Sequence, residues 1–229
     1  MLQFKNILTR DYAGRAAILV FFGGLVIVKT STTIQLFGSF PASPTTSTYL
    51  NLLIALASIA FLLLILGTTL VRLKPSLTAT GFEARISALL GTFLMATLAM
   101  LPPGDVPDMV KIAGLVFAFL GTALSAYVLL YLGRSFSIMA EARKLVISGP
   151  YSVVRHPLYV AEEIAIIGII LAHFSVWAVA IGAVHWLFQM RRMLNEERVL
   201  GAAFSEYDPY AKSVPRVIPL GLLPRLKAG

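Results

Sequence analysis

Residues 110–132 read VKIAGLVFAFLGTALSAYVLLYL, and this stretch decides the fold. Its one charge, Lys111, stands at the edge, and no proline interrupts the run. A bilayer span needs about 20 apolar residues. With no water to satisfy the backbone at that depth, such a run has to be helical or part of a closed barrel, and its near-continuous apolar character selects the helix. Working outward, further apolar blocks lie at 16–32, 50–71, 86–101, 158–172 and 175–190. The blocks at 16–32, 50–71 and 110–132 reach span length. The other three are shorter, but Pro102-Pro103 closes one of them, and His173-Phe174-Ser175 separates the last two. The pattern predicts an all-α, polytopic transmembrane helical bundle of about six spans, the fifth and sixth forming a tight hairpin. The first block reads as an anchor rather than a cleaved signal peptide, because no small-residue cleavage pattern comes after it. No repeated small-xxx-small stripe dominates one span, so the sequence does not fix an oligomeric state.

Composition agrees. The chain is 58% hydrophobic and 13% charged, where a soluble domain carries roughly a quarter charged residues. The net charge of +8 could suggest nucleic acid, but the basic residues are distributed by topology. Of 19 Lys and Arg, 17 fall in the N-terminus, the loops 72–85 and 133–157 and the tail from 191, leaving Lys29 and Lys111 on the other side. This is the positive-inside pattern of a multi-pass integral membrane protein with both termini cytoplasmic. The basic flanks suit contact with anionic membrane lipids, and nucleic acid is excluded as a partner. With no cysteine, disulfides, thiolate catalysis and Cys-ligated metals are ruled out.

Two regions differ in character within one integral domain. Residues 1–132 read as N-terminal transmembrane helices with little polar content. Residues 133–229 hold a long loop, the helical hairpin and a predicted cytoplasmic C-terminal cap. The loop 133–157 is long for a connection in a small bundle, and such loops are usually functional or disordered; Leu145, Val146, Ile147 and Tyr151 supply anchors against disorder. It ends in Gly149-Pro150-Tyr151 and Arg155-His156-Pro157, a turn and then a proline suited to a first helical position. The sixth span runs on through Arg191-Arg192 to Glu196-Glu197 without a breaker, so Arg192 and Glu196 share a helix face. The stretch from Val214 to Pro219 reads as an extended, proline-stiffened segment.

The polar set excludes several chemistries. His156, His173 and His185 are far apart with no HExxH, so no metal site is expected. GxSxG, a phosphate loop and a dinucleotide-binding GxGxxG are all absent. The remaining candidates cluster at one membrane face: Tyr151, His156 and Tyr159 before and within the fifth span, then Arg192, Glu196 and Glu197 on the extended helix. Carboxylates can receive an amino group or ribose hydroxyls, and aromatic rings can flank a purine, so the set suits a zwitterionic, adenosine-bearing ligand. Glu162 and Glu163 lie one to two turns inside the fifth span, and acidic residues at that depth are functional candidates; Glu163 is taken to face a substrate cavity. His185 reads as a packing histidine.

The two-part motif Leu145-Val146-x-x-Gly149-Pro150-Tyr151-x-x-x-Arg155-His156-Pro157-x-Tyr159, then Glu196-Glu197-x-x-Leu200-x-x-x-Phe204-x-x-Tyr207-x-x-Tyr210 and Val214-Pro215, closely resembles the isoprenylcysteine carboxyl methyltransferase family. That family is related to the phospholipid N-methyltransferases, and the resemblance spans roughly residues 133–220. It implies S-adenosyl-L-methionine as cofactor, in a cytoplasmic pocket capped by the C-terminal segment. It also implies that Arg143, Lys144, Leu145, Val146 and Tyr151 line the adenosine, that His156, Pro157, Leu158 and Tyr159 complete the wall, and that Glu196 holds the polar end. Arg192 stands where the family meets substrate. Arg143 itself departs from the family, which often has histidine there in the enzymes for prenylated proteins, so a prenylcysteine acceptor is not implied.

Methyl transfer from a sulfonium needs proximity and a dry site above all. Arg192 would orient a carboxylate or thiolate acceptor, bidentately for a carboxylate, while Glu197 or His156 would serve as base for an amine. The acceptor is expected to be a lipophilic small molecule or a prenylated substrate, with one access from water and one from the bilayer. A sterol-type, NADPH-dependent reductase shares a His-Pro-x-Tyr element and is the alternative enzyme. A transporter would be expected to show broken spans or paired halves, and neither is evident; a non-catalytic scaffold is the remaining alternative.

Overall fold

The computed structural model describes residues 2–100 and 104–218. Pro102-Pro103 and Pro219, which close an apolar block and a tail segment in the sequence, lie outside the described residues.

The chain is predominantly helical. Helices α1 (Leu2–Gly38) and α2 (Thr46–Val71) lead to α3 (Phe82–Phe93), which tightens into a 3₁₀ turn over Leu94–Met100. Then come α4 (Asp108–Leu132), α5 (Pro157–Ala172), α6 (Val176–Ala203) and the short α7 (Tyr207–Ser213). Among the described residues, three helical stretches are long and apolar enough to cross a membrane: Asp11–Gly38, Thr46–Val71 and Asp108–Ser135. The 16 residues of α5 extend only about 24 Å. The 28 residues of α6 reach about 42 Å, well beyond a hydrocarbon core of about 30 Å.

The tightest packing joins α4 to α5 through a stripe of small residues. Gly114, Ala118, Gly121 and Ser125 on α4 face Ala161, Ala165, Gly168 and Ala172 on α5, and nearly all of these are buried. A Cβ on Gly121 would stand 2.2 Å from the Ala165 amide nitrogen, and one on Gly168 would stand 2.3 Å from that of Ala118. The two backbones therefore touch, which is how helices gain dispersion contact where lipid gives no hydrophobic advantage. The stripe escapes a search for one glycine repeat because its spacing alternates between three and four and its members are shared by two helices.

Two short strands tie the loops together at one end of the bundle. Strand β1 (Leu77–Thr78) pairs antiparallel with β2 (Glu141–Ala142), Leu77 opposite Ala142. Beneath them lies a buried ion cluster. Asp11 of α1 meets Arg15 at 3.0 Å, Arg72 at 2.7 Å and Arg143 at 2.6 Å. Arg143 also pairs with Glu141 and donates to the Leu73 carbonyl. Removing one partner from such a cluster leaves an uncompensated buried charge, typically at a cost of about 3–5 kcal/mol. The cluster fixes the start of the 143–156 loop against α1 and α2.

Candidate functional site

The loop's path is set by its residues. Gly149 has φ +60, a conformation open to glycine. A Cβ there would lie 2.3 Å from the Tyr131 ring, so the turn sits directly on the end of α4. His156 precedes α5 with non-helical angles, and Pro157 opens the helix at its first position. His156 is therefore held where loop becomes helix, and its ring stacks on that of Tyr159 at 5.4 Å.

On α6 the residues His185, Gln189, Arg192 and Glu196 share one face, turned toward α5. Tyr159 Oη donates to Glu196, and the Arg192 guanidinium lies 4.8 Å over the Tyr159 ring. Arg192 also lies 3.7 Å from Glu196, and its Nε has no hydrogen-bond partner among the described residues.

These groups surround a cleft of about 780 Å³, its open mouth included. Of the residues proposed from sequence, Lys144, Leu145, Val146, Tyr151, His156, Leu158, Tyr159, Arg192 and Glu196 line it. Arg143, Pro157, Glu163 and Glu197 do not. Arg143 is turned away into the Asp11 cluster, because three groups it meets there satisfy its charge. Pro157 serves the helix start. Glu163 lies deeper, 3.2 Å from His185.

Glu197 faces the other way from Glu196. Arg216 grips it with Nε and Nη2 at 2.8 and 2.7 Å, His156 Nε2 lies at 3.0 Å and Arg155 at 3.4 Å. Burial pushes this carboxyl up, but the bonds from Arg216 and His156 and the neighbouring positive charges outweigh it and hold the pKa at about 2. Such a group is a charge anchor and a very weak base.

The C-terminal segment completes the surroundings. The Arg155 and His156 amides donate to the carbonyls of Pro215 and Arg216 at 2.8 and 3.1 Å. Tyr210 Oη donates to the Tyr151 carbonyl at 2.6 Å. Burial first, with Glu197 nearby, pushes the Tyr207 phenol up to about 12, and burial beside Tyr207 does the same for Tyr210; both remain neutral hydrogen-bonding groups. Tyr207, Tyr210 and Arg155 line the cleft although the sequence reading gave them no site role. All three belong to the motif, which was the available signal. Arg216, whose partner lies 19 residues earlier in the chain, offered none.

The family comparison falls on this same region. Residues 109–207 match the family model of the phospholipid methyltransferases. The protein-S-isoprenylcysteine O-methyltransferase of Schizosaccharomyces pombe is 37% identical over 116 residues, 47% of this chain and 49% of the relative. A protein-S-isoprenylcysteine O-methyltransferase B from Arabidopsis thaliana is 33% identical over 113 residues, 46% of this chain and 57% of the relative. The nickel-cobalt-cadmium resistance protein NccN of Alcaligenes xylosoxydans xylosoxydans is 34% identical over 80 residues, 34% of this chain and 38% of the relative. The matches thus cover 38% to 57% of these relatives' lengths. Residues 109–207, which carry most of the cleft, are thus similar to the phospholipid methyltransferase family, and parts of the chain are similar to protein-S-isoprenylcysteine O-methyltransferases.

Proposed function

We propose that the protein is an S-adenosyl-L-methionine-dependent methyltransferase acting on a lipophilic acceptor at the cytoplasmic membrane face. The observation that carries this reading is the convergence of Lys144, Tyr151, His156, Tyr159, Arg192 and Glu196 on one cleft. The donor set fits the cofactor. Glu196 can receive its amino group, Lys144 its carboxylate, and the Tyr151 and Leu145–Val146 surfaces its purine.

The bound cofactor supplies an electrophilic methyl group on a sulfonium. The protein's part is binding, orientation and exclusion of water. Tyr159 donates to Glu196 and fixes the carboxylate's direction. Arg192, propped on the Tyr159 ring with its Nε free, orients the acceptor's polar group, in forked fashion if that group is a carboxylate. The segment 207–216 forms the cap and excludes water from above, with Arg216 on Glu197 as its fastening.

A second, mostly apolar cavity supports a lipophilic acceptor. It is a cavity of about 730 Å³ between α1 and α3, walled by Ile18, Phe22, Leu89 and Phe93, and it shares Ser137, Met139 and Glu141 with the cleft. An acceptor reaching the cleft from the bilayer would lay its chain there. This arrangement belongs to a six-span topology with both termini cytoplasmic, in which α3 with its 3₁₀ extension, α5 and the first half of α6 supply the shorter spans.

The test is S-adenosyl-L-methionine binding by calorimetry on detergent-purified protein. Binding to the wild type that weakens at least tenfold in both Glu196→Ala and His156→Ala is expected. Folded wild type that does not bind the cofactor would overturn the reading.

A further inference from the structure

We infer that the cavity between α1 and α3 is a binding site for an anionic phospholipid, its phosphate held between Arg72 and Arg85 and one acyl chain laid against Phe22 and Phe93. The cavity has two unlike ends. Arg72, Thr78, Thr80 and Arg85 line one of them, where β1 leads into α3. Eight residues further along α3, about 12 Å at the helical rise, Phe93 closes the other end against α1, its ring centroid 5.0 Å from that of Phe21 and 6.1 Å from that of Phe22. Ile18 and Leu89 stand between the two ends. Phe21 and Leu89 are also exposed on the outside of the bundle, so a lipid chain has a sideways entry.

The polar end carries positive charge in surplus. In the ion cluster behind it, the guanidinium groups of Arg15, Arg72 and Arg143 meet the two carboxylates of Asp11 and Glu141. Arg72 is 5% exposed and spends Nη2 on Asp11, at 2.7 Å from the carboxylate and 3.1 Å from the main-chain carbonyl. Its Nε has no hydrogen-bond partner among the described residues. Arg85 is exposed at the cavity wall, and the carboxylate beside it in the chain, Glu83, is taken by Asn195 and Arg191.

Surplus positive charge beside an apolar cavity is costly to leave without an anion. Two guanidinium groups from different elements suit the several oxygens of a phosphate, which arginine's planar donors match. The apolar depth between Arg85 and Phe93 selects a phosphate that carries a chain, and the bilayer supplies one, since basic pockets between membrane helices take anionic headgroups. The binding itself does not rest on methyl transfer. Its consequence does: on the methyltransferase reading, the lipid's chain fills the space an acceptor's chain needs, so the two exclude each other.

The experiment is native mass spectrometry of delipidated, detergent-purified protein offered dioleoyl phosphatidylglycerol, dioleoyl phosphatidylcholine and oleate in equal amounts. The site requires phosphatidylglycerol to be retained in preference to the other two. Arg85→Gln removes one phosphate partner at an exposed position that the fold does not depend on, and is expected to weaken phosphatidylglycerol about fivefold. Leu89→Trp, its fold verified by circular dichroism, fills the apolar half and is expected to abolish retention. Equal retention of phosphatidylglycerol and phosphatidylcholine, a preference for oleate, or undiminished phosphatidylglycerol on Arg85→Gln would overturn the assignment. Neither cofactor nor methyl transfer enters the readout, so its failure is distinct from failure of the methyltransferase reading.

Discussion

Arg216, His156 and Arg155 converge on Glu197 and hold its pKa at about 2, below an ordinary value of 4.5. A depressed carboxyl contributes stability that is complete above about pH 4.5 and is lost as pH falls toward about 2. Wild-type Tm is expected to drop through that window. Glu197→Gln, which cannot ionise, should start on the order of 2 kcal/mol less stable and drop less steeply. Arg192 is tested differently: Arg192→Lys keeps the charge but loses the planar fork, and a 10- to 100-fold loss of methyl transfer with near-normal cofactor binding is expected. Proximity was legible where both residues lay within the motif, as for Glu196 with Tyr159. It was not where charge was met by distant chain. Arg143 finds Asp11, 132 residues away, and no local pattern records that pairing.

At the scale of elements, hydropathy was a good guide because five of the six apolar blocks lie within one α-helix, Ser175 at its cap aside, while the block from 86 divides between α3 and the 3₁₀ turn that follows it. Boundaries obeyed local chemistry, as Pro157 shows at the start of α5. Packing was less visible, since contact between α4 and α5 depends on which small residues face each other across two helices. Gly121→Ala tests that contact. Its new Cβ would meet backbone at 2.2 Å, and backbone cannot rotate aside, so a loss of about 1–3 kcal/mol is expected from overpacking. Thermal unfolding with and without cofactor measures it. An equally small change at Gly67, where a Cβ meets nothing within 4 Å, is expected to be neutral or slightly stabilising.

For the whole molecule, the absence of cysteine makes topology directly testable. Ser43→Cys and Ser148→Cys each place one thiol at an exposed position. With a membrane-impermeant maleimide on intact cells, Ser43→Cys should label and Ser148→Cys should label only after lysis; the same outcome for both would refute the six-span arrangement. The close seam between α4 and α5 carries one more consequence. The loop that walls the cleft is slung between the end of α4 and the start of α5, and those helices are locked backbone to backbone. That wall behaves as a fixed doorpost. The chain beyond Ala203 is fastened to that post by the backbone bonds of Arg155 and His156 to Pro215 and Arg216 and by the side chains of Tyr210 and Arg216, so the post positions the segment that follows α6.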